Sequence, residues 1–247
     1  MYSLVSPDGP RHGAGCPFAL SLRSDRACRM NDAARDPHLP VRVWDLPTRV
    51  FHWALACNVA ASVASAKIGG AAMVWHFRFG YAAIVLLGFR LLWGLLGGRW
   101  SRFASFAYTP AAVLRYLRGR ARPDESFEVG HSPLGALSVF ALLAVLVAQV
   151  CTGLVADDEI ANVGPLNRFV ATATGLQATA WHKRWGQWLL LALVALHVAA
   201  IAWYYFGKRS NLVRPMVFGD KRLPAGTPAS RDDVGTRLLA LVLLAVC

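Results

Sequence analysis

The chain has 247 residues, 55% of them hydrophobic and 16% charged, with a formal net charge of +12 and a mean hydropathy of +0.39. A soluble domain carries about 25% charged and 45–50% apolar residues, so the composition argues against a soluble enzyme, a disordered chain and a secreted disulfide scaffold. Cys16, Cys28, Cys57, Cys151 and Cys247 form no CxxC pair and no CxxCH, which excludes zinc ribbons and covalent haem attachment. What fits is an integral membrane protein whose basic excess needs placing.

In chain order, residues 1–29 mix Gly, Pro, Arg and Ser with two cysteines and lack the apolar core of a signal peptide. Met30 opens MNDAARDPHLPVRVWDLP and reads as the natural start, which makes residues 1–40 an N-terminal extension. His12 and His38 precede the apolar region and read as solvated. A membrane-spanning helix needs about 20 mostly apolar residues. Four segments are expected to span: Val50–Ala66, Phe79–Gly98 (interrupted by Arg90), Leu134–Ala156 (free of charge) and Trp188–Phe206 (with His197 alone ionisable). Residues 225–247 form a tail that ends in Leu238–Cys247, too short to cross and read as an incomplete fifth span or as a packed tail.

Basic residues mark the cytoplasmic side of short membrane loops. Residues 1–49 carry seven Lys and Arg, residues 98–132 carry six, and the chain after Phe206 carries seven. The other two loops hold few, and Asp157, Asp158 and Glu159 lie among them. An even number of spans places all three rich segments on one face. The expected fold is an all-α membrane protein, a four-helix transmembrane bundle with a cytoplasmic N-terminus. The net charge is then mostly topology, and no nucleic-acid partner is expected, because the arginines are dispersed rather than clustered with aromatics.

Ionisable residues inside spans are costly and usually functional. With this topology His52 lies at the cytoplasmic end of the first span and His76 at the outer end of the second. In the fourth, His182 lies near the outer surface and His197 deep toward the cytoplasm. His182 and His197 are 15 residues apart, about 22 Å along a helix, and rotated by roughly 60°, so they share one broad face. Two depth-matched pairs result, His76 with His182 outside and His52 with His197 inside. Facing neutral imidazoles suit the two axial positions of haem iron in a helix bundle. Each Nδ1–H then needs an acceptor, expected to be a backbone carbonyl of its own helix. Zinc or copper fits less well, with two ligands per level. Proton or ion transport competes, yet spans two to four contain no Asp or Glu and no span is broken by proline.

Two readings stand for Arg90: snorkelling to the interface, or pairing with a propionate of the inner haem. Two also stand for His131, in GHSPLG. It is a helix-start residue ahead of Ser132 as N-cap and Pro133 in the first turn, or it contacts a propionate or a quinone headgroup.

The segments VRVWDLPTRVFHW, WHFRFGYAAIVLLGFRLLWG, GHSPLGALSVFALLAVLVAQVCTG, LLLALVALHVAA and KRSNLVRPM resemble the bacterial cytochrome b-561 / nickel-hydrogenase b-type cytochrome family, from about Val41 to Pro224. The resemblance implies that residues 41–224 are a membrane domain with two b-type haems. Their iron ligands fall at His52, His76, His182 and His197, in the pairing the topology already yields. It also implies one residue fewer between the two histidines of the last span, a surplus that a register shift or a bulge near Gly186 would absorb. The function implied is electron transfer in a respiratory chain, in the bacterial inner membrane. It would run between the quinone pool and an outer-face redox protein such as a hydrogenase, a dehydrogenase or a cytochrome c. A non-redox transporter or scaffold, with the histidines used for packing, is the alternative.

Overall fold

In the computed structural model, residues 38–120, 122, 125, 127 and 129–247 are described. The expectations for residues 1–37, among them the start at Met30, lie outside the described residues. Strand β1, His38–Arg42, leads into α1, Leu46–Ile68. The Asp45 carboxylate starts α1 by accepting the Thr48 N–H at 2.8 Å, with Pro47 in the first turn where it lacks no needed donor. Gly69, at φ 69°, closes the helix in a conformation that only glycine adopts freely. Then follow α2, Met73–Leu96, a short α3, Pro110–Leu117, and α4, Pro133–Val155. Ser132 caps α4 by accepting the Gly135 N–H. Helix α5, Thr172–Ala180, runs through a π-helical turn, Trp181–Gly186, directly into α6, Gln187–Phe206. The short α7, Val213–Phe218, strand β2, Asp220–Pro224, and α8, Val234–Val246, complete the chain.

Three helical stretches among the described residues are long and apolar enough to cross a membrane: 70–96, Pro133–Val155 and 172–206. Helix α1, expected as a fourth span, matches them in length at 23 residues but carries Asn58, Ser62, Ser65 and Lys67. The last span was expected from Trp188; the helix begins at Thr172 instead. TATGLQATAWHKRWG is too polar to extend an apolar run, yet it is helical throughout, so the helix outruns the apolar stretch. Trp185 and Trp203, both about two-thirds exposed, lie 18 residues apart on this helix. That is about 27 Å, close to the ~30 Å hydrocarbon core whose two edges tryptophan favours.

The expectation of an all-α fold needs one correction. β1 and β2 pair antiparallel, with Pro40 opposite Arg222 and Arg42 opposite Asp220. HLPVR and DKRLP show no strand alternation, and they pair because the helices return the chain to its starting face. Arg42 also bonds Asp220 and reaches Asp232 at 3.3 Å. Beside the sheet, Val43, Trp44, Val129 and Leu223 form one buried cluster. Phe51, Phe89 and Trp93 form a second, and they bury Ala240 of α8. At 13 residues α8 is about 20 Å long, short of a span, and it packs along α1 and α2. Leu87, Leu146 and Leu190 join α2, α4 and α6 in a third cluster.

Candidate functional site

The helices bring the four histidines together in two pairs. The His52 and His197 rings, from α1 and α6, have centroids 6.4 Å apart and planes at 50°. The His76 and His182 rings, from α2 and the π-helical turn, are 5.9 Å apart and nearly perpendicular, at 85°.

In the second pair, both Nδ1 atoms lie against carbonyl oxygens. His76 Nδ1 is 2.9 Å from the Ser62 oxygen, and His182 Nδ1 is 2.9 Å from the Gln149 oxygen. A carbonyl only accepts, so both Nδ1 atoms carry the proton and both Nε2 lone pairs are left free. The acceptors belong to neighbouring helices, α1 and α4, not to the histidines' own. A hydroxyl three residues on bonds each of these carbonyls too, Ser65 at 3.0 Å and Thr152 at 3.2 Å. Such back-bonding bends a helix and turns its carbonyl outward. The first pair lacks this arrangement, and His52 Nδ1 is buried with no hydrogen-bond partner.

Arg90, on α2, is only 4% exposed, so its guanidinium does not snorkel. It lies over the Phe103 ring, 4.5 Å from the centroid, and its buried Nη1 has no partner. The His131 ring packs between Trp44 and Phe106, at 4.8 and 4.5 Å. Burial first, and then the nearby charge of Arg90, push its pKa down to about 3, so it is neutral. Its Nδ1 too is buried without a partner. Phe106 in turn lines a cavity of about 190 Å³, together with Tyr108, Val113, Pro133, Leu137 and Phe140.

Sequence reasoning missed the buried Asp45. Besides capping α1, its carboxylate accepts Trp93 Nε1–H at 3.1 Å and the Ser101 hydroxyl at 2.7 Å. The signal was present in WDLP, an Asp ahead of a proline in a helix's first turn. Gln149 was missed as well, although only it and Thr152 bear a side-chain amide or threonine hydroxyl in a charge-free span.

A profile of the family described as prokaryotic cytochrome b561 matches residues 43–219. The chain belongs to that family. It is 25% identical, over 190 residues, to the protein described as probable Ni/Fe-hydrogenase 1 B-type cytochrome subunit of Escherichia coli (strain K12), covering 63% of this chain and 80% of the relative. The protein of the same description in Escherichia coli O157:H7 matches to the same extent. No solved structure matches. The protein is thus a bacterial membrane b-type cytochrome, its cofactor is haem b and its work is membrane electron transfer.

The residues present fit that cofactor. No group of three or more His, Cys, Asp or Glu among the described residues would hold a bare metal ion, so an ion bound here must bring its equatorial ligands with it. Two metal–nitrogen bonds of about 2 Å, with the ring radii added, separate axial imidazole centroids by about 6 Å. Both pairs have that separation.

Proposed function

We propose that this cytochrome passes electrons across the bacterial inner membrane through two b-type haems, between an outer-face redox protein and the quinone pool. The observation that carries the reading is the pair of facing imidazole sets, 6.4 and 5.9 Å apart, joined by one helix. His52 with His197 would hold one haem, and His76 with His182 the other. Haem b, when bound, supplies a one-electron iron couple.

The chain's own residues do the rest. Ser62 and Gln149 hold the protons of His76 and His182 away from the metal side and raise ligand basicity. The apolar helices keep water out and lower the local dielectric. The partnerless Nη1 of Arg90 would donate to a carboxylate side arm of the inner haem, since a buried cation favours an anionic partner. The 190 Å³ cavity lined by Phe106 and Tyr108 is small against the 300–1,000 Å³ of most ligand sites, and it would take a quinone ring with its tail in lipid.

Four spans with a cytoplasmic N-terminus are supported by the three Lys- and Arg-rich segments, which need an even number of crossings, and by the packing of α1 against α2. The hydrogenase subunits among its relatives favour a hydrogenase as the outer partner, with a dehydrogenase or cytochrome c as the other candidates. The decisive experiment is a dithionite-reduced minus oxidised spectrum of detergent-purified protein with haem quantified per chain. Two b-type haems per chain are expected. None, after expression with ample haem, would overturn the reading in favour of a transporter or scaffold.

A further inference from the structure

The π-helical turn Trp181–Gly186 holds one residue more than an α-helical turn and disturbs the regular i→i+4 ladder. Gln149 of α4 meets this turn twice. Its side-chain Nε2 donates to the main-chain oxygen of His182 at 3.2 Å. Its own main-chain oxygen accepts from His182 Nδ1 at 2.9 Å. One residue therefore grips the histidine at both its backbone and its ring.

Two glycines make room for this grip. A Cβ at Gly186 would overlap Gln149 Oε1, and a Cβ at Gly153 would lie 2.9 Å from His182 Cε1. Gln149 Oε1 is buried with no partner, so nothing else among the described residues orients the amide. Its one bond is the one to the turn.

We propose that Gln149 is the positioning residue for His182. It stabilises the wide turn and thereby locks the His182 ring perpendicular to His76. The proposal rests on the reading of His182 as an axial ligand. Without the amide donor the turn relaxes, the ring leaves the Gln149 carbonyl, and both the plane angle and the basicity of the imidazole change.

The test uses the full chain, purified with haem. Gln149→Met keeps the side chain's size and removes its donor. Ferric low-spin haem with perpendicular imidazole planes gives a highly anisotropic electron paramagnetic resonance signal, and rotation toward parallel planes makes that signal more rhombic. In Gln149→Met the outer haem is expected to lose its most anisotropic signal and its midpoint potential to rise, because a less basic ligand stabilises ferric iron less. The inner haem should keep its signal. Deleting Arg184 in the same variant returns the turn to α-helical length and should restore the outer signal. Unchanged spectra and potentials in Gln149→Met overturn the proposal. So does loss of both haems that the deletion does not repair, which would make Gln149 a packing residue. Wild-type protein without haem overturns instead the reading on which the proposal rests.

Discussion

His52 and His182 differ in what holds their rings, but the pair to which each belongs sets how it should respond to substitution. His197→Ala is expected to remove the inner haem while the outer one remains, and His52→Ala to give the same spectrum if the two share an iron. His182→Ala should do the reverse. Haem content and reduced spectra check all three, and retention of two haems in both His182→Ala and His197→Ala would refute the ligand set. Asp45 acts on stability instead. Asp45→Ala strands the Thr48 N–H, the Trp93 indole N–H and the Ser101 hydroxyl inside the protein. Lost partners for buried donors cost about 1–3 kcal/mol each, and the Trp93 indole keeps Thr48 Oγ1 as an acceptor, so a net loss of about 3 kcal/mol is expected. A drop in the thermal midpoint in detergent measures it. At this scale the histidines were legible because an ionisable side chain in an apolar run stands out. Asp45, Ser62 and Gln149 were not, because each is an ordinary polar residue until a partner 14 to 56 positions away is known.

Among the elements, the loop between α4 and α5 sets where the last long helix begins. Asn167 Nδ2 donates to the Val155 oxygen, and Thr179 bonds both the N–H and the oxygen of Asp157, which ties the loop across the helix ends. The Asp158 carboxylate accepts from the backbone of Ile160, Ala161 and Asn162 and from the Asn162 side chain. The Asn162 bonds above all hold it well below the usual carboxylate range. A carboxylate whose folded pKa is depressed contributes stability above its unfolded value, near 4, and loses that contribution as the pH falls through the folded value. Protease nicking of residues 157–163 should therefore stay flat from pH 7 to pH 5 and rise only in stronger acid. Asp158→Asn should nick at neutral pH as the wild type does in acid; equal nicking of the two at every pH would count against this account. A π-helical turn runs over Trp181–Gly186, in the region of Gly186 where the resemblance implies a bulge or a register shift. Its stabilising partner on another helix could not be read from the spacing.

For the whole molecule, the basic segments at 38–49, 98–132 and 207–237 should face one side of the membrane and residues 157–170 the other. Cysteine substitutions test this. Glu159→Cys is expected to react with an impermeant thiol reagent in intact spheroplasts, whereas Arg120→Cys should react only after lysis. The opposite pattern would invert the orientation.

The apolar runs, the charge asymmetry and the levels of the four histidines belong to the sequence itself, because hydropathy and charge act over windows of about 20 residues and do not depend on which helix lies beside which. The tertiary structure alone decided the rest. Pairing of His38–Arg42 with Asp220–Pro224, burial of Arg90 away from the interface, enclosure of His131 between Trp44 and Phe106, and the carbonyls that orient His76 and His182 all join segments distant in the chain. Their energies come from desolvation and hydrogen-bond geometry between neighbours in space, and no local pattern encodes those neighbours.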